Sequence, residues 1–244
     1  MANPYFQFKQ FTIRQDKCAM KVTTDACLFG AWAAAEIQNQ QAAAETLLEI
    51  GTGTGLLSLM IAQKNPALLI DSIEIEAGAA EQATENIRAS PAGKNIRVWQ
   101  ADARRFPFSG KYDCIISNPP FYENELTGAD SKKNIAHHHE GLLLSELLAI
   151  IRTNLQPDGQ FFLLLPFKRQ EELKRMILQQ ELFIRQLVLV KPSIRHDYFR
   201  ILLAGTFDKG EAKETPISEI AIKDETDKYT PAFTGLLKEY YLYL

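Results

Sequence analysis

Thr46-Leu47-Leu48-Glu49-Ile50-Gly51-Thr52-Gly53-Thr54-Gly55, running on into Leu56 to Lys64, decides how the rest of the chain is read. A short apolar run gives way to glycines at alternate positions. An apolar spacing that fits a helix follows, and it stops before Pro66. Strand, glycine turn and helix in that order form a cradle for a small molecule. The glycines let the backbone approach a ligand, and the first helical turn offers unpaired amides.

Downstream the alternation repeats. Ala67 to Ile75 reads as a second strand ending at Glu74, and Ala77 to Ala89 as a helix. Asn95 to Trp99 is a third strand, followed by Gln100-Ala101-Asp102-Ala103. Tyr112 to Ser117 is a fourth, apolar enough to be buried. It ends in Asn118-Pro119-Pro120-Phe121. Each proline fixes φ and lacks an amide donor, so the chain must leave the sheet there. An amide side chain, a rigid carbonyl and an aromatic ring are thereby placed at the carboxyl end of a strand, where open α/β sheets bind ligands. The group suits a planar substrate carrying an exocyclic NH2. Taken alone, the same turn is a plain exit from a strand.

Tyr122 to His139 is polar and aperiodic, as an active-site segment would be. Leu142 to Leu155 reads as a helix, Phe161 to Leu165 as a strand, Lys168 to Gln180 as a helix, and Ile184 to Val190 and Phe199 to Thr206 as strands. No helix pattern separates the last two, so they are expected to pair antiparallel. Counted from Thr46 this gives seven strands. The expectation is an α/β fold: a Rossmann-like, mostly parallel seven-stranded sheet with helices on both faces. Before it, Phe6, Phe8, Phe11 and Ile13 suit two short strands, and Thr23-Thr24-Asp25 begins a helix through Leu28, Trp32 and Ala35. After it, an acid-rich stretch, Asp208 to Lys228, contains a candidate strand at Ile217 to Ile222, and Phe233 to Leu244 is expected to pack as a helix on the body. One domain over 1–244 is expected, with extensions at 1–45 and 208–244 around a core at 46–207.

The composition sets limits. A chain of 244 residues with 46% hydrophobic and 23% charged residues has the means for a sizeable core. At a net charge of −3, a nucleic-acid partner must meet a local basic face. Candidates are Lys9, Arg14, Lys17 and Lys21 in the first segment, and Arg195 and Arg200 near the end of the core. Cys18, Cys27 and Cys114 lack CxxC spacing and suit a reduced, cytoplasmic protein. No apolar run approaches the about 18 residues of a membrane helix, so no membrane partner is expected. His137, His138 and His139 are consecutive, but neighbouring side chains diverge and no cysteine is near, so no metal is expected.

Glycine loop, Glu74, Asp102 and Asn118 fall at successive strand ends. A nucleoside ligand needs backbone room for its tail, a carboxylate for its ribose and a polar anchor for its base. A dinucleotide fold would place its third glycine at Leu56. The G-x-G-x-G spacing favours S-adenosylmethionine, which has no pyrophosphate to cradle.

The loop and Asn118-Pro119-Pro120-Phe121 resemble class I methyltransferases acting on an amino group. The opening is more specific. Phe11-Thr12-Ile13, Cys18-Ala19-Met20-Lys21-Val22, Thr24-Asp25 and Gly30-Ala31-Trp32 are similar to the bacterial tRNA(Val) adenine-N6 methyltransferases, which modify the adenine beside the anticodon. The resemblance covers about Phe6 to Phe207. It implies that Glu74 holds the cofactor ribose, in a place where Asp is more usual, that Asp102 faces the cofactor adenine, and that Asn118 binds the target amine. The expected cofactor-binding set is Lys21, Thr24, Glu49, Gly51, Thr52, Gly53, Gly55, Glu74, Ile75, Asp102, Ala103 and Asn118, and the catalytic set is Asn118, Pro119 and Phe121. The expected partner is tRNA, bound by a monomer. The exit motif leaves other planar amines open, namely guanine N2 in ribosomal RNA or a protein glutamine. A non-catalytic module that binds cofactor and RNA is the alternative of another class.

Overall fold

A computed structural model describes residues 3–40, 43–119, 142–207 and 215–244. The glycine loop follows β3 (Thr46–Ile50), and the Asn118-Pro119 exit follows β6 (Tyr112–Ser117). These two strands are parallel neighbours at the centre of the sheet. On the far side of β3 lie β4 (Leu69–Glu74) and then β5 (Ile96–Gln100), both parallel to it. On the far side of β6 come β7 (Leu155–Pro166), β9 (Arg200–Thr206), β8 (Phe183–Ser193) and β10 (Ile217–Lys223). The strand order reverses between β3 and β6, so loop and exit flank the crevice where a ligand of such a sheet sits.

Strand after strand divides its side chains between two cores. Leu47, Cys114, Ile116, Phe162 and Leu164 face one, and Leu48, Ile115, Phe161, Leu163 and Leu165 face the other. Period-two alternation with both faces apolar is the pattern of a sheet covered on both sides. α1 (Thr24–Gln38) and α2 (Leu56–Lys64) supply the first core, and α4 (Leu144–Asn154) and α5 (Gln170–Gln179) the second. Between β4 and β5, α3 (Ala77–Arg88) places Ala83 and Ile87 in the first core.

β9 runs antiparallel to both β7 and β8, as the helix-free link between the last two core strands predicts. Its Gly205 faces Phe161, whose ring would lie 2.2 Å from an added Cβ, so only glycine fits that ladder position. All seven expected core strands form. The sheet has an eighth, because β10 pairs parallel with the outer edge of β8 and covers its unpaired amides.

The two extensions meet. β1 (Tyr5–Gln7) and β2 (Thr12–Arg14) form an antiparallel hairpin, and Phe8 makes an isolated bridge with Tyr241. Phe6, Phe8, Phe11 and Tyr241 pack with ring centroids 4.6 to 5.9 Å apart. α6 (Pro231–Leu237) is capped by Thr230 and ends before the terminal aromatics, shorter than the expected helix to Leu244. Tyr240 then donates from its hydroxyl to the Met60 carbonyl at 3.0 Å, pinning the tail on α2. A fully buried ring of this size contributes about 1.5–3 kcal/mol, so this aromatic seam holds both ends of the chain on the core.

Candidate active site

The glycine loop is built from its φ angles. Gly51, Gly53 and Gly55 have φ of +79°, +56° and +81°, a region costing an L-residue about 1–2 kcal/mol each. A Cβ on Gly51 or Gly53 would meet nothing within 4 Å among the described residues, while Gly55 lies against Ala83 and Ile87. The Gly51 and buried Thr52 amides donate to the Ile73 carbonyl at 2.9 and 3.2 Å, tying the loop to β4. Gly55 caps α2, whose first-turn amides meet no capping side chain among the described residues. Bare cradle and positive helix end suit the polar tail of a nucleoside cofactor.

Three carboxylates differ in environment. Glu74 is 8% exposed, with Oε2 accepting the Gly53 amide at 2.8 Å and Oε1 the Glu76 amide at 2.9 Å. Glu49 is buried beneath the loop, where Oε2 accepts hydrogen bonds from Ser58 and, at 3.4 Å, from Ser72. Burial pushes its carboxyl up to about 7, against the pull of those hydroxyls. Asp102 is held by Arg104, whose Nε and Nη2 donate to it at 2.8 to 3.0 Å. That guanidinium keeps the Asp102 carboxyl below its ordinary range. Ala103 is buried beside it, and Ile75, next to Glu74, is 51% exposed.

Across the crevice, the Ser117 hydroxyl donates to the Ile50 carbonyl at 2.7 Å and locks the ends of β6 and β3 together. Asn118 Oδ1 is buried with no hydrogen-bond partner among the described residues. A buried acceptor left unpaired is costly and marks a place where a donor is to arrive. Pro119 is buried next to it. Pro120, Phe121, the Tyr122 to His139 segment and its three histidines lie outside the described residues.

Lysines of the arm have partners within the protein. Lys21 Nζ donates to the Gln15 carbonyl and, at 3.0 Å, to that of Cys18. Thr24 is exposed in the first turn of α1, after Thr23 as cap. The adjacent Asp25 forms an ion pair with Arg200 at 2.7 Å, joining α1 to the start of β9. Lys17 is paired with Glu81 and Glu85 at 3.1 and 2.8 Å. Among the described residues no group of three or more His, Cys, Asp or Glu could hold a metal ion, and no helix is long and apolar enough to cross a membrane.

Comparison with known proteins bears on this arrangement. The model of the methyltransferase small domain family matches residues 33–181. The tRNA1(Val) (adenine(37)-N6)-methyltransferase of Parabacteroides distasonis is 39% identical, with 99% of each chain covered. That of Dyadobacter fermentans is 40% identical, with 98% of each chain covered. The chain belongs to the tRNA1(Val) (adenine(37)-N6)-methyltransferase family. The resemblance carried by the N-terminal motifs is confirmed, and the protein is an S-adenosylmethionine-dependent methyltransferase. Two solved structures share its fold. A predicted O-methyltransferase, Atu636 from Agrobacterium tumefaciens, has a TM-score of 0.63 at 15% identity, over 88% of this chain and 96% of that one. TrmN from Thermus thermophilus has a TM-score of 0.52 at 22% identity, over 72% of this chain and 47% of that one. At these identities the likeness concerns the fold alone.

Sequence reasoning missed three groups that hold the glycine loop or the carboxylate of Glu49. Ser58 and Ser72 face Glu49, although the i to i+9 spacing of Glu49 and Ser58 across a glycine turn could have suggested it. Asn86, two helical turns into α3, bonds the glycine loop from behind, at 2.9 Å to the Thr54 carbonyl. An uncharged amide in an Ala-rich helix carries no motif that would have flagged it.

Proposed function

We propose that the protein methylates the exocyclic N6 of an adenine in tRNA, at position 37 beside the anticodon of tRNA(Val). The observation that carries this is the buried Asn118 Oδ1, without a hydrogen-bond partner among the described residues and placed one strand from the glycine cradle. Bound S-adenosylmethionine supplies an electrophilic methyl group. The glycine loop and the amino end of α2 would hold its polar tail, Glu74 would accept hydrogen bonds from its ribose, and Asp102 would lie on the side of its adenine.

The lone pair of an aromatic amine is delocalised into the ring, which makes the nitrogen a poor nucleophile. Asn118 Oδ1 and the Pro119 carbonyl accept the two N–H bonds of the target amine. This draws the nitrogen toward tetrahedral geometry, which takes its lone pair out of conjugation with the ring and frees it to attack the methyl group. As positive charge grows on nitrogen, both hydrogen bonds strengthen, so they favour the transition state over the ground state. Phe121, which lies outside the described residues, is the ring expected from the sequence to stack on the base. No strong base is required, because the amine proton becomes acidic once the methyl has moved, and it leaves to solvent. The target base must be unstacked to enter, which is cheaper in a loop than in a duplex.

Asn118→Ala tests the proposal. It should leave S-adenosylmethionine affinity by calorimetry within about twofold and lower methyl transfer to tRNA(Val) transcript by about two orders of magnitude. A variant turning over like wild type would remove Asn118 from the mechanism. Labelled methyl offered to total tRNA, ribosomal RNA and protein from a strain lacking the gene separates adenine from guanine and glutamine acceptors.

A further inference from the structure

The side-chain amide of Asn86 is 2% exposed and makes hydrogen bonds to two separate parts of the chain. Its Oδ1 accepts the Arg14 amide at 2.9 Å, and its Nδ2 donates to the Arg14 carbonyl at 2.8 Å. The same Nδ2 donates to the Thr54 carbonyl at 2.9 Å. Arg14 is the last residue of β2, in the N-terminal arm, and Thr54 lies between two left-handed glycines of the loop. Asn86 therefore pairs with the arm as a neighbouring strand would, and with its second proton holds the loop.

The surroundings make this a joint between two rigid parts. On the arm side, Gln82, one turn earlier and 1% exposed, accepts the Lys17 amide at 3.2 Å. The Lys17 ammonium is held by Glu81 and Glu85 on the same helix. On the loop side, Gly55 rests against Ala83 and Ile87, and the preceding Gly53 amide is held by Glu74. One face of α3 thus carries the arm along one flank and the cofactor loop along the other, with Asn86 bonded to both. At this burial, withdrawing either partner leaves a desolvated polar group unpaired, so arm and loop cannot shift independently without loss.

We infer that Asn86 is a positioning residue that couples the N-terminal arm to the glycine loop, so that seating of the arm sets the affinity of the cofactor cradle. The inference rests on the proposal that this loop holds S-adenosylmethionine. By linkage the effect is reciprocal: cofactor on the loop must stabilise the docked arm by the same factor as the docked arm favours cofactor.

The Lys17 amide is the reporter, because its bond is to Gln82 and not to Asn86. In the full-length wild type, saturating S-adenosylmethionine should slow hydrogen exchange at the Lys17 amide several-fold. In Asn86→Leu, which fills similar space without hydrogen bonds, cofactor affinity by calorimetry should fall about tenfold, and cofactor should no longer slow exchange at Lys17. Asn86→Asp, which keeps the acceptor for the Arg14 amide but loses both donor bonds, should behave the same way and serves if the leucine variant does not fold. A merely structural role would lower the melting temperature while leaving cofactor-dependent protection at Lys17 intact, and that result overturns the coupling. So does wild-type protein that binds S-adenosylmethionine with no change at Lys17. Wild-type protein that binds no S-adenosylmethionine contradicts the proposed function instead.

Discussion

Glu74 Oε2 and the Gly53 amide are 2.8 Å apart, so the acid at the end of β4 closes on the loop at the end of β3. The carboxylate spends one acceptor site on Gly53 and one on Glu76, and a carboxylate has about four such sites. Its remaining capacity is what the proposed ribose contact would use. Because the same group also shapes the loop, its removal would act on cofactor binding twice if the ribose contact is made.

Glu74→Ala should therefore weaken S-adenosylmethionine binding by about tenfold or more, as loss of hydrogen bonds to a charged group does. S-adenosylhomocysteine should lose the same factor, since both ligands carry the ribose. Calorimetry with the two ligands checks this. Unchanged affinity would place the ribose elsewhere, with Glu76 the next candidate.

Glu49 gives a pH signature. Burial raises its carboxyl from the ordinary 4.5 to about 7, and the charge of Glu74 adds to the rise. The folded protein therefore holds this proton more tightly than the unfolded chain does. Where the native state binds more protons, stability falls as pH rises. For this group the fall runs from about pH 4.5 to about pH 7 and then levels off. Glu49→Gln cannot ionise, so its stability relative to wild type should grow across that window and stay constant above it. Urea titrations of both proteins at pH 5, 6, 7 and 8 measure the difference. A difference that is flat from pH 5 to 8 would mean that Glu49 is ionised throughout.

The parts of this fold that were legible are those fixed by local sequence. Leu47 and Leu48 alternate between two cores because a strand has period two, and that can be read from five residues. The helix at Leu56 to Lys64 is bounded by Gly55 and Pro66, whose backbone preferences hold in any context. The closing segment was harder. Phe233, Leu237, Tyr240 and Tyr241 are all buried, but the last two pack outside the helix, and aromatic residues suit either state. Side-chain partners were least legible. Lys21 looks like a free cation in sequence, yet it folds back on the carbonyls of Gln15 and Cys18. Asn86 meets Arg14 and Thr54, which are 72 and 32 positions away, and only the docking of α3 brings them together.

The basic residues proposed to meet RNA divide the same way, and the division can be measured. Lys17 lies between Glu81 and Glu85, and Arg200 is paired with Asp25. Both have an acidic partner within 3.1 Å, so little of their charge is offered to a phosphate. Arg195 differs. It is exposed in the link between β8 and β9, and its Nη2 is held at 2.6 Å by the carbonyl of Glu225, which orients the guanidinium without neutralising it. That link lies at the carboxyl edge of the sheet, where β8 ends and β9 begins, on the same edge as Asn118. Each phosphate contact releases counterions, and its loss flattens the slope of log affinity against log salt by about 0.7 to 0.9. Arg195→Ala should flatten the slope for tRNA by about that amount. Lys17→Ala and Lys223→Ala, the latter paired with Asp227 at 2.8 Å, should leave it at the wild-type value. Equal slopes for all four proteins would move the RNA-binding face away from this edge. A slope flattened by Lys17→Ala alone would mean that RNA displaces Glu81 and Glu85, and would put the phosphates on the arm.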